Sequence, residues 1–230
     1  MNTKQLLTVC ILIFLNSLTP AQSQTSEFGI IAGTSYYMGD INHDRLFYSP
    51  QLAYGILYRK TINDHNNYRV QISKHSISGN DADFPSGYQQ DRMHSFSNDI
   101  YELGLQYEFN FFPFNLQKRL SLTSYITTGA SVVLIIAPNQ HFSPSFPIGI
   151  GFKYGIGKRL TVGAEWTYKY AFTDNLDLLP PNTQDPSLSP PENKQVNNQS
   201  SNDWYSLAGI IISYNFASTK KWCPAYDRKK

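Results

Sequence analysis

The stretch FPIGIGFKYGIGKRLTVGAEWTYKY, residues 146 to 170, decides the fold. Its first half alternates Phe146, Ile148, Ile150, Phe152, Tyr154 and Ile156 with Pro147, Gly149, Gly151, Lys153 and Gly155, and the alternation resumes after a tight turn. Successive strand side chains point to opposite faces, so one face is large and apolar while the other is almost bare. In an eight-stranded membrane barrel the narrow interior has room for little more than side chains. Glycines and small polar residues then fit the lumen, and the large apolar face meets lipid.

Outward from this stretch the same pattern recurs. Period-two segments rich in Tyr, Phe, Ile and Val cover approximately residues 27–37, 50–60, 68–79, 95–112, 120–136, 146–156, 159–172 and 203–216. Short turns at Thr61–Asn67, Pro113–Arg119 and around Gly157-Lys158 alternate with long polar loops at Met38–Ser49, Asn80–His94, Ala137–Ser145 and Thr173–Asn202. A chain crossing a membrane eight times, with short periplasmic turns and longer outside loops, has this order. The predicted fold is all-β: an eight-stranded antiparallel up-and-down transmembrane β-barrel. Aromatic residues near the strand ends favour the membrane orientation over a soluble barrel with an apolar interior.

The chain opens differently. Lys4 precedes an apolar run from Leu6 to Leu18, and Ala21-Gln22-Ser23 offers small residues for cleavage. This reads as a secretory leader, too short to span a bilayer as an anchor. Three parts follow: a leader at 1–23, a barrel at 24–216 and a periplasmic tail at 217–230. Removing Lys4 takes the 19 basic residues to 18 against 17 acidic ones, a formal net charge of +1, so nothing attracts nucleic acid. Cys10 leaves with the leader, and Cys223 alone cannot form an internal disulfide.

The inward register collects Arg59, Arg69, Lys153 and Lys169 with Glu102, Glu108 and Glu165, and His75 lies near the outer end of its strand. Unpaired buried charges are costly, so opposite signs are expected to meet in a hydrogen-bonded network that plugs the lumen. His43, His94 and His141, with Asp44, Asp91, Ser95 and Ser143 near them in sequence, are candidates for lipid or acyl-transfer chemistry at the outer rim. Neither G-x-S-x-G nor H-E-x-x-H occurs, and Asp81, Asp83 and Asp91 lack calcium-loop spacing. No catalytic residue, cofactor or metal is expected. The same residues are also compatible with a soluble ligand-binding barrel of lipocalin type and with an outer-membrane barrel of unrelated role.

GTSYYMGDINH at Gly33–His43, YGILYR in the second strand, YELGLQYEFNFFPF at Tyr101–Phe114 and the closing KKWCPAY at Lys220–Tyr226 together resemble the PorG-like outer-membrane barrels of the type IX secretion and gliding apparatus. The resemblance implies a non-enzymatic component, seated among outer-membrane lipids, that anchors a periplasmic ring built from PorK-like and PorN-like proteins. Tyr37, Gly39, Asp40 and Asn42 match the family's first-loop motif, and Cys223 and Pro224 match its tail. In physical terms Gly39 permits a tight bend, and Asp40 and Asn42 can bond nearby backbone amides. Trp222, Cys223, Pro224 and Tyr226 are expected to meet the barrel base or a periplasmic partner.

Overall fold

The computed structural model describes residues 25–39, 41–42, 44–84, 93–116, 121–136, 140–173, 176–177 and 203–216. Eight strands run in chain order: β1 (Ser26–Met38), β2 (Gln51–Thr61), β3 (Asn66–Asn80), β4 (Ser95–Asn110), β5 (Ser121–Ile135), β6 (His141–Ile156), β7 (Leu160–Ala171) and β8 (Trp204–Asn215). Each pairs with its sequence neighbours, and β8 returns to β1 over the register Glu27↔Asn215 to Met38↔Trp204. Every pair is antiparallel and the barrel is closed, so no strand edge is left with unpaired backbone groups.

The two faces part as the alternation predicts. Outward Leu52, Ile150 and Phe152 are 63%, 55% and 60% exposed, whereas inward Arg59, Arg69 and Lys169 are 1% exposed or less. This is the reverse of a soluble barrel. Its exterior is a continuous apolar belt, far larger than an isolated patch that water tolerates, and a bilayer satisfies it. The fold is therefore a transmembrane barrel.

Both the start of β1 and the end of β8 lie at the end carrying the short turns, where the Phe216 N–H donates to the Ser26 carbonyl at 3.1 Å. At that end the β2–β3 turn is built on Asn63, whose Oδ1 accepts from the backbone N–H of both His65 and Asn66 at 2.9 Å. The β6–β7 turn uses Gly157 at φ 66°, in the left-handed region where glycine carries no Cβ penalty.

One connection differs from expectation. The long loop predicted over Ala137–Ser145 is reduced to residues 136–140, because β6 begins at His141 and carries Pro144 and Pro147 within it. Prolines argue against a central strand because they cannot donate to the ladder. Here the ladder with β5 lapses between the pairs Thr128↔Ile148 and Ser131↔Ser145, around Pro147. Pro144 lies beyond the last β7 partner, Ala171, and its carbonyl accepts from Phe172 N–H at 3.0 Å.

Candidate functional site

The lumen holds the chemistry. Nearest the short turns, Arg59 donates from Nη1 to Glu27 Oε2 at 2.9 Å, and its Nε lies 2.8 Å from Glu108 Oε2. Lys153 Nζ reaches the same Glu108 oxygen at 3.1 Å, and Arg69 Nη1 lies 3.1 Å from Glu108 Oε1. Arg69 also grips Glu165 with two parallel bonds of 2.6 and 2.8 Å and donates to Gln106. Tyr125 donates to Glu165 at 2.7 Å and Ser213 to Glu27 at 2.7 Å. Three cations face three carboxylates, so the cluster is neutral. Its members come from all eight strands: Glu27, Arg59, Arg69, Glu108, Tyr125, Lys153, Glu165 and Ser213, one from each in turn.

Farther toward the long loops a second group forms around Glu102. Its Oε2 accepts from Tyr205 at 3.1 Å, lies 3.1 Å from His75 Nε2, and is bonded by Lys169. Above it an apolar cap closes the barrel, with Tyr37, Ile41, Ile77, Phe96, Ile100, Ile135 and Tyr205 in one buried cluster under Phe84 and Tyr48. Ionic layers below and an apolar layer above fill the described lumen.

The first-loop motif builds that cap. Tyr37 points inward, fully buried, with its hydroxyl 2.7 Å from Asp203 Oδ1 and 3.0 Å from Asp177 Oδ2. Asn42 donates to the carbonyls of Tyr37 and Arg45 at 2.9 and 2.8 Å, and its Oδ1 accepts the Arg45 N–H at 3.0 Å. Gly39 is needed for a reason other than the bend: a Cβ there would lie 2.5 Å from the Tyr37 ring and 2.6 Å from Asp203 Oδ1. Asp40 and His43 lie outside the described residues, as do Trp222, Cys223, Pro224 and Tyr226 in the tail.

Among the described outer-rim candidates, His94 and Ser143 bond to backbone carbonyls rather than to one another. His94 Nε2 lies 2.9 Å from the Asp177 carbonyl oxygen, and Ser143 donates to the Pro144 carbonyl at 3.2 Å. Asp81 accepts from His94 N–H at 3.0 Å, Asp83 accepts from Tyr48 at 2.6 Å, and Asp91 lies outside the described residues. Burial and that bond to Asp83 push the Tyr48 phenol up to about 12. Among the described residues no group of three or more His, Cys, Asp or Glu side chains is arranged to hold a metal ion.

A family model described as a domain of unknown function, DUF6089, matches residues 4–225. The chain belongs to that family. Comparison with curated proteins finds no match. Among solved structures, this DUF6089 barrel is similar to the N-terminal β-barrel domain of Pseudomonas aeruginosa OprF, at 13% identity and a TM-score of 0.46 over 84% of this chain and 100% of that one. Neisserial surface protein A is similar at 11% identity and a TM-score of 0.48, over 86% and 100%. A major outer membrane protein from Thermus thermophilus follows at 12% and 0.39, over 83% and 99%. With these TM-scores below 0.5, the eight-stranded assignment rests on this chain's own strand pairing.

Sequence reasoning missed Glu27, Tyr125 and Tyr205. Glu27 shares the inward register of Gly29 and Ile31, but it stands at the first position of its predicted strand, where no preceding alternation fixes its face. Tyr125 and Tyr205 look like belt aromatics until the register is counted. Their odd positions match those of Thr123, Thr127 and Leu207, all buried.

Proposed function

We propose that this DUF6089 protein is a non-enzymatic outer-membrane barrel of the type IX secretion and gliding apparatus that anchors a periplasmic ring beneath the membrane. The leader at 1–23 exports it, the long loops face outward, and the tail at 217–230 hangs in the periplasm beside the short turns. The lumen carries the anchoring part of the reading: a neutral network tied to all eight strands makes a stiff, plugged body suited to bearing a complex rather than passing a solute. The first-loop motif and the KKWCPAY tail support the secretion role through their resemblance to PorG-like barrels. Ring proteins of the PorK and PorN kind are the partners, and Trp222, Cys223, Pro224 and Tyr226 are the contact.

Affinity purification of an internally tagged protein from outer membranes in mild detergent, followed by mass spectrometry, tests this. Recovery of the two ring proteins, lost when Lys220–Lys230 is deleted from a still-inserted barrel, is the expected result. Recovery of the barrel alone at normal abundance across several detergents contradicts the anchor.

A further inference from the structure

The outer wall is not uniform. Over β7, β8 and β1 the outward residues Ala164, Ala208, Ala32 and Thr34 are small and surround Ile210, which pairs with both Ala32 and Ala164, whereas β2, β3 and β4 carry Ile56, Ile72 and Leu103 outward at mid-strand. With Ile210, Phe152 and Trp166 they line a shallow trough of about 500 Å³ that is open on the lipid-facing side.

The trough has a roof at its outer-loop end. Phe47, from the β1–β2 loop, folds back down the outside of the barrel and stacks on Trp166 at 5.7 Å between centroids and 22° between planes, with Tyr36 at 5.0 Å on its other side. Its backbone sits at φ 57°, a left-handed conformation that a bulky residue adopts only when its surroundings hold it. The polar atoms of this lid are spent internally: Trp166 Nε1 donates to Ser206 Oγ at 2.9 Å, and the Tyr36 hydroxyl donates to Tyr168 at 3.1 Å. With those groups turned to one another, the trough selects by shape and apolarity.

We propose that this trough is a binding site for one acyl chain of a membrane lipid, held beneath the Phe47–Trp166 lid. The surface lies in the belt that lipid chains already bathe, and a flexible hydrocarbon fills a recess whose lining otherwise lacks contacts on one side. A second copy of the protein fits poorly. A twofold interface centred here sets recess against recess, because the same patch meets itself. The inference rests on the membrane-spanning fold and is independent of the secretion role.

The test uses the full chain in phosphatidylcholine vesicles with Trp204→Phe and Trp222→Phe, which leaves Trp166 as the sole indole, since the chain has three tryptophans. Phosphatidylcholine brominated near the chain end is titrated in as quencher. Trp166 emission is expected to reach half-maximal quenching at a brominated mole fraction several-fold below that for a Trp204-only protein, which reports bulk lipid. Filling the trough with Ala208→Phe, or with the milder Ala164→Leu should the first fail to insert, is expected to erase that difference. Superposed Trp166 and Trp204 curves in the unfilled protein overturn the site. So does disulfide-linked dimer formation by Ala208→Cys in a Cys223→Ser background, which would show a second copy seated there.

Discussion

Replacing Glu108 with glutamine tests the neutrality of the lumen. Glu108 is fully buried and carries Arg59, Lys153 and Arg69 at 2.8, 3.1 and 3.1 Å. Glu108→Gln keeps the shape but leaves three buried cations facing two carboxylates. Removing one partner of a buried pair costs about 3–5 kcal/mol, and the amide oxygen retains part of the hydrogen bonding, which sets the expected loss near the lower bound, about 3 kcal/mol. With a urea dependence of about 2 kcal/mol per molar, the unfolding midpoint falls by about 1.5 M. The assay is equilibrium unfolding in lipid vesicles, read by tryptophan emission and by the gel mobility of the closed barrel. Adding Lys153→Met restores two cations against two carboxylates, and the double variant is expected to recover most of the loss. A single-variant cost below about 1 kcal/mol, or a double variant as unstable as the two singles added together, refutes the reasoning.

The outer belt has its own signature: Leu103→Arg at mid-strand is expected to destabilise by about 2–4 kcal/mol and Phe112→Arg at the short-turn end by about 0–1, measured by the same unfolding assay. Gly39→Ala forces a Cβ against the Tyr37 ring and Asp203, so it is expected to cost about 1–3 kcal/mol and to expose the first loop to protease. Planar-bilayer recordings of the wild-type protein are expected to show no large steady conductance, since the lumen is filled; such a current contradicts the plug. The Tyr48 phenol, raised to about 12, contributes stability that is complete below the ordinary phenol value and lost as the pH climbs through about 12. Carbon-13 NMR of labelled tyrosine is expected to show one ring titrating near there that Tyr48→Phe removes.

Period-two alternation was enough to read the fold because in this chain both faces are chemically marked. Phe146 to Ile156 contrasts with glycine, proline and lysine, and the register follows directly. Where both faces are apolar the signal fades. Ile30-Ile31 and Ile210-Ile211-Ile212 conceal that Ile31 and Ile211 face inward, where they join Ala53, Leu57 and Leu207 in an apolar lumen patch. The inward charges were legible as a set, since each occupies the register opposite the greasy one. Their division into a six-charge cluster and a separate Glu102 group was not, because it depends on strand stagger around the barrel. Pro144 marks a loop by composition, and only its pairing with Val132 shows that it belongs to β6, while the β5–β6 ladder lapses around Pro147. Phe47 leaves no trace at all: its contact with Trp166 spans the wall from the first loop to β7.

The most direct test of the inside-out barrel returns to the stretch where the alternation is clearest. Single nitroxide labels at each position from Phe146 to Ile156, in vesicles and in a Cys223→Ser background, are scanned by electron paramagnetic resonance for collision with oxygen and with a water-soluble nickel chelate. The account predicts strong oxygen contact at 146, 148, 150, 152 and 154, and shielding from both reagents at 149, 151 and 153. Nickel contact at the even positions, or no period of two, contradicts it.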